Sequence, residues 1–170
     1  TCALPISGSS SGNTAANAGE RGFWLAGSGT HSGNTATGSG AGFLAGWQFT
    51  GVLSGSAAAG NTNGIVVAGG TVRGNTVTGN GAGSEGLVID FERDRGDFNG
   101  WAAPAVVEGN TVSGAEFGLT VRHGRTDRVF PFIDAADLAA ANGSAVMRGN
   151  LIRGTTGAGV LVDGVVYATQ

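Results

Sequence analysis

Three charged residues of this chain each end a short apolar segment, and their types could support proton transfer. They are Asp90, Arg122 and Asp163, with Glu92 two residues beyond the first and His123 directly after the second. Carboxylates and imidazole act as general acids and bases, and arginine holds negative charge or, in some sites, accepts a proton. These five residues are therefore the candidate catalytic residues.

The apolar segments before these charges align with earlier segments of the same kind. One column of first apolar residues contains Phe23, Phe43, Ile65, Leu87, Leu119 and Val160. A second column, two places on, contains Leu25, Ala45, Val67, Ile89, Val121 and Val162. Alternation of this kind predicts strands whose two columns face a core. If the strands stack, Asp90, Arg122 and Asp163 form one row on consecutive strands, about 4.8 Å apart.

The residues between the two columns are also mostly apolar. This outward stripe contains Trp24, Leu44, Val66, Val88, Thr120 and Leu161. Apolar side chains in a row on an outer face indicate cover by a loop, a partner or a further segment. The alternative is an ordinary aliphatic stack on a sheet surface.

A repeated turn precedes each of these strands. Gly-Asn-Thr occurs five times and Gly-Asn-Leu once, and aligning the copies gives the turn residues Asn13, Asn34, Ser56, Asn75, Asn110 and Asn150. One of the five Gly-Asn-Thr copies, at Asn61, falls out of register and is interpreted as a loop, and Ser56 is the turn residue of that coil. The turn asparagines predict a ladder of stacked side-chain amides, although tolerance of left-handed backbone by Asn explains the same preference. Repeats of this length predict an all-β solenoid of about six to seven coils.

The motif resembles the right-handed parallel β-helix repeat of the pectate-lyase-like superfamily. The residues that carry the resemblance are Val72–Val77, Val107–Val112 and Met147–Ile152. The resemblance implies an extracellular or cell-surface protein that acts on polysaccharide or cell-surface glycan. It implies either a lyase, with an arginine base and possible calcium, or a hydrolase that uses paired aspartates. A non-catalytic adhesin or structural solenoid is the alternative, with Asp90, Arg122 and Asp163 as an ion-pair ladder.

Two insertions enter directly after the charged row, at about 91–105 and 123–145. Loops that leave a solenoid at the same corner lie side by side, so they predict the wall of a groove. The first contains Trp101, which could stack on a sugar ring, and the second contains Arg125 as a further substrate-binding candidate. The second also predicts a short helix from Asp134 to Asn142, capped by Asp134 and ended by Asn142-Gly143.

Composition excludes several other classes. The chain has 34 glycines without a three-residue period, a net charge of −3 and no basic run, which argue against collagen and against nucleic-acid binding. No apolar run approaches the roughly 20 residues of a membrane-spanning helix. No cofactor is implied with certainty.

The domain organisation predicted from the repeat is simple. Residues 1–11 lack the repeat and are expected to be an irregular terminus or a foreign scar, and residues 12–170 are expected to form the β-helix. The last coil is expected to be truncated, with further coils or domains of the same full-length chain as its neighbours.

Overall fold

The structure is a computed structural model that describes residues 6–90, 105–122 and 145–163, with positions 47 and 163 described for their backbone only. The predicted helix at 134–142 lies outside these ranges. Every strand pairing is parallel. The described chain is therefore an all-β protein in which each strand returns beside its equivalent from the previous repeat.

The first sheet has six strands, one from each repeat. In order across the sheet they are β1 (Ser10–Ser11), β4 (Thr30–Ser32), β7 (Val52–Ser54), β10 (Thr71–Arg73), β12 (Ala105–Glu108) and β14 (Ala145–Arg148). The first strand, β1, therefore begins two residues before residue 12, where the sequence predicts the β-helix to start. Ile6 also bridges to Leu25 and packs against the core.

The second sheet is strongly curled and contains the other ten strands. The strands that follow the first corner are β2 (Thr14–Ala16), β5 (Thr35–Thr37), β8 (Ala57–Ala59), the start of β11 (Thr76–Asp90), the start of β13 (Thr111–Arg122) and β15 (Leu151–Arg153). The strands that carry the core columns are β3 (Arg21–Gly27), β6 (Ala41–Phe49), β9 (Asn63–Val67), the ends of β11 and β13, and β16 (Val160–Asp163).

The long strands β11 and β13 explain the curl. β11 pairs with β8 near its start and with β9 near its end, so one strand passes around a corner of the solenoid. Its pairing with β13 shifts register twice, between Thr78 and Gly81 and between Gly81 and Glu85. Irregularities of this kind bend a strand without ending its pairing. The architecture is consistent with a parallel β-helix.

The core columns are confirmed residue by residue. Phe43 pairs with Phe23 and with Ile65, and Leu87 pairs with Ile65 and with Leu119. These side chains are at most 6% exposed. The Phe23 and Phe43 rings stack with centroids 5.0 Å apart, an arrangement that adds about 0.5–1.5 kcal/mol beyond burial. Val160 is 57% exposed, and its strand is at the edge of the sheet among the described residues.

The predicted asparagine ladder is present at the first corner. The Nδ2 of Asn75 donates to Oδ1 of Asn110 at 3.0 Å, and the Nδ2 of Asn110 donates to Oδ1 of Asn150 at 2.9 Å. The same Oδ1 atoms accept the backbone N–H of the preceding ladder residue. Ser56 interrupts the amide contacts, and its hydroxyl accepts the backbone N–H of Asn34 at 3.2 Å. The glycine before each ladder residue has positive φ, for example 60° at Gly74, where any other residue would be strained.

Asn61 lies in the connection between β8 and β9, as the sequence predicted, but it also has a buried structural role. Its side chain is 2% exposed and lies at the second corner of the coil. Its Oδ1 accepts the backbone N–H of Ser39 at 2.9 Å, and its Nδ2 donates to the Ala36 carbonyl at 3.0 Å. Ser39 in turn accepts the N–H of Ala18 at 3.2 Å. At the second corner, as at the first, buried polar side chains form hydrogen bonds with backbone groups of the neighbouring coil, but they do so over fewer repeats.

Replacing Asn110 by Ala should lower the free energy of unfolding by about 3 kcal/mol, because the buried N–H and amide of Asn75 lose their acceptor. Asn13→Ala is the matched control. Asn13 is exposed and its side chain only donates to Asn34, so the expected loss is under about 1 kcal/mol. Urea unfolding of both variants measures the difference. Equal losses would contradict a stabilising role for the buried ladder.

His31 should make stability depend on pH, because it occupies the core position that Leu53 holds in the next strand. It is fully buried, its Nδ1 lies 2.8 Å from the Ser10 hydroxyl, and its Nε2 has no partner within the described residues. Burial lowers the pKa of His31 below its ordinary value of 6.5. The unfolded chain therefore takes up a proton first as the pH falls, and stability should decrease below about pH 6.5.

The His31→Leu variant isolates this effect from the titration of carboxylates. Its melting temperature should exceed that of the wild type, and the difference between the two should widen from pH 7.5 to pH 5.5. A constant difference across that range would show that His31 does not titrate on unfolding.

Candidate functional site

The charged row lies at the ends of three neighbouring strands. Asp90 ends β11, Arg122 ends β13 and Asp163 ends β16, and both pairs are in register. Parallel strands place equivalent residues about 4.8 Å apart. The predicted alignment of the row is therefore present in the backbone. The residue types alternate along the row, from acidic to basic to acidic.

Arg122 joins two carboxylates of a single strand. Its Nη2 donates to Oε2 of Glu85, and its Nη1 lies 3.7 Å from Oδ2 of Asp90. The side chain of Arg122 is 35% exposed, whereas those of Glu85 and Asp90 are 11% and 7% exposed. Removing carboxylates this far from water is costly unless a cation compensates. The guanidinium therefore compensates two poorly hydrated negative charges.

The strand register shows where the Arg122 side chain runs. Glu85 pairs with Phe117, five positions before Arg122, whereas Asp90 pairs with Arg122 itself. To contact both carboxylates, the arginine side chain extends from the end of β13 back toward Glu85.

The outward stripe forms an apolar cluster separate from the core. Its members Leu44, Val66 and Val88 are at most 1% exposed, and Trp24 packs against them. These positions of the stripe are therefore buried. Part of the cover is arginine: the Arg21 guanidinium carbon lies 5.0 Å from the centre of the Trp24 ring, within the range of a cation–π contact.

Thr120 is the polar member of the stripe. It is 1% exposed, and its Oγ1 has no hydrogen-bond partner in the described part of the chain. A buried hydroxyl without a partner costs about 1–3 kcal/mol. Thr120 lies opposite Val88 on the neighbouring strand, two residues before Arg122.

Glu85 was missed by sequence reasoning. Glu85 lies on β11, five residues before Asp90. The alternation of side chains along the strand does not predict that any member of the charged row lies beside it. The available signal was the scarcity of charge, because only Glu20, Arg21 and Arg73 are charged before it. An isolated glutamate directly before the Gly86-Leu87 strand start indicates a charged partner nearby.

The remaining candidates lie outside what the structure describes. Glu92, Trp101, His123 and Arg125 fall in the segments after β11 and β13, so their place beside the row stays a prediction. The same holds for the Asp163 side chain. Within residues 6–90, 105–122 and 145–163, no group of three or more metal-ligating side chains is found. No described helix is long and apolar enough to cross a membrane.

The chemistry open to the described site is charge recognition. Arg122 presents a guanidinium that is fixed by two carboxylates and still one-third exposed. Such a group binds carboxylates through paired N–H donors. No protein-family model, no curated protein and no solved structure matches this chain.

Arg122→Ala should lower the free energy of unfolding by about 1–3 kcal/mol, because the poorly hydrated carboxylates of Glu85 and Asp90 would lose this cation. Arg148→Ala is the matched control. Arg148 pairs with Glu108 at 2.6 Å, but the two side chains are 69% and 25% exposed, so the expected loss is under about 1 kcal/mol. Thermal or urea unfolding compares the variants. A larger loss for Arg148→Ala would contradict the assigned burial.

Proposed function

We propose that this chain is part of a right-handed parallel β-helix protein of the pectate-lyase-like kind that acts on polysaccharide beside Asp90, Arg122 and Asp163. The observation that carries the proposal is the row itself. Charges stand in register on consecutive strands, and a partly exposed guanidinium is held between two carboxylates. Both long insertions follow this row directly in the sequence, which supports a groove at the same place.

Support for the β-helix assignment comes from the strand pairing. Short parallel strands stack in register, and an internal asparagine ladder lines the corner. We infer a right-handed coil because crossover connections between parallel strands take that hand in about 98% of cases. The coil number of about six to seven, the pectate-lyase-like kinship and the extracellular location rest on the repeat motif.

The chemistry of a guanidinium favours one role for Arg122 over the other. A base must lose a proton, whereas a guanidinium stays charged in proteins and binds carboxylates through paired donors. Arg122 is therefore better suited to hold the carboxylate of an acidic sugar than to abstract a proton. In a lyase scheme the base would then be another residue, with His123 the nearest candidate in sequence, and calcium could assist. In a hydrolase scheme Asp90 and Asp163 would act as acid and base.

A non-catalytic solenoid is the second candidate, and one observation favours it. Glu85, Arg122 and Asp90 satisfy one another without any ligand, as a purely structural ion-pair ladder would. On this alternative the protein is a surface adhesin or a structural spacer, and the row stabilises the outer face.

An activity screen of the chain separates these candidates. Acidic and neutral polysaccharides are incubated with and without calcium, and the products are followed by ultraviolet absorbance of unsaturated sugars and by new reducing ends. Absorbance would indicate β-elimination, and reducing ends alone would indicate hydrolysis. For either activity, Arg122→Ala should reduce turnover at least about 100-fold, by analogy with the removal of a single charge-stabilising group.

Arg153→Ala is the control variant for this screen. Arg153 is exposed and ends β15, away from the row, so its loss should leave turnover unchanged. Two results together would overturn the catalytic proposal and support the non-catalytic solenoid. The wild type would show no turnover of any polysaccharide in the panel, and the Arg122→Ala variant would still bind glycan.

A further inference from the structure

A second charged row lies at a different corner of the coil, where the strands of the first sheet end. Its members are Ser54, Arg73, Glu108 and Arg148, which pair in register across β7, β10, β12 and β14. Each is followed by a glycine, and together they line a shallow, open groove of about 550 Å³. We call this the corner groove. It crosses four strands, so it extends along the direction in which the coils stack.

The floor of the corner groove is bare backbone. Gly55 and Gly74 have φ of 55° and 60°, and a Cβ placed on either would meet no atom within 4 Å. The space above the floor is therefore open. The N–H groups of these glycines already donate to the carbonyls of Arg73 and Glu108 in the next strands. A ligand in the groove would consequently be recognised by the side chains of the rim.

The rim presents both donors and an acceptor. Glu108 accepts a hydrogen bond from Nε of Arg148 at 2.6 Å, and both side chains retain access to solvent. Arg73 lies on the other side of Glu108 and is exposed. No ion pair of Arg73 is found among the described residues. The row carries one net positive charge, and its two arginines are about 10 Å apart, two strand spacings.

This combination selects a particular ligand chemistry. Arginine binds carboxylates through paired donors, and a carboxylate such as Glu108 accepts hydrogen bonds from hydroxyl groups. A polyphosphate chain would instead be repelled by Glu108 at the centre of the row. A sugar chain with carboxylate substituents offers both partners. We propose that the corner groove is a second binding site, for an acidic oligosaccharide, with Arg73 as its main anion contact.

The proposal does not rest on turnover at Arg122, because the two rows lie at the ends of different strands. Calorimetric titration with an oligomer of galacturonic acid tests it, with a neutral oligosaccharide of the same length as the ligand control. Arg73→Ala should weaken acidic-oligomer binding about tenfold, the loss expected for one charged hydrogen-bonding partner. Arg153→Ala, which removes an exposed arginine outside the groove, should leave the affinity unchanged.

Arg122→Ala distinguishes the two sites. The Arg122→Ala variant is expected to lose turnover but to keep the acidic-oligomer binding that depends on Arg73. Arg73→Glu is a second variant, and it should weaken binding further because it reverses the charge at an exposed position. Equal affinities of the wild type and Arg73→Ala would overturn the proposal. So would wild-type failure to bind the acidic oligomer, or disappearance of the Arg73-dependent binding in a folded Arg122→Ala variant.

Discussion

The stacking of buried amides at the first corner is the interaction on which the other features of this structure depend. A chain that turns inward at every coil brings backbone N–H and C=O groups into the interior, where each must find a partner. Asn75, Asn110 and Asn150 supply partners in both directions. Their Oδ1 atoms accept from the preceding coil, and their Nδ2 atoms donate to backbone carbonyls such as those of Leu53 and Val72. This arrangement fixes the register between coils, because a slip by one residue would leave several buried groups unpaired.

Fixed register has a consequence for the surface. Because equivalent residues of successive repeats stack in rows, a change of residue type between repeats appears as a change along one row. Two rows become charged in the later repeats. One runs from Asp90 to Asp163 at the ends of β11, β13 and β16, and the other runs from Arg73 to Arg148 at the ends of β10, β12 and β14. Within each row the signs alternate, which avoids like charges side by side at strand spacing. The first row has a negative excess and the second a positive one.

The outward apolar stripe links this electrostatics to packing. A β-helix with apolar side chains on both faces of one sheet would expose a hydrophobic surface unless something covers it. Here an arginine contributes to the cover, because the Arg21 guanidinium lies over the Trp24 ring. At the end of β13, Arg122 pairs with Glu85 and Asp90. Arginines therefore serve packing at Arg21 and charge compensation at Arg122.

The sequence by itself determined the repeat, the two core columns, the outward stripe and the alignment of Asp90 with Arg122 and Asp163. These follow from periodicity, since alternation and equal spacing translate directly into faces and registers when strands stack. Only the tertiary structure revealed the Glu85 partner, the polar corner role of Asn61 and the corner groove around Arg73. Each of these depends on the direction of a long side chain or on a bend between strands. Such features arise from packing in three dimensions, and no one-dimensional spacing encodes them.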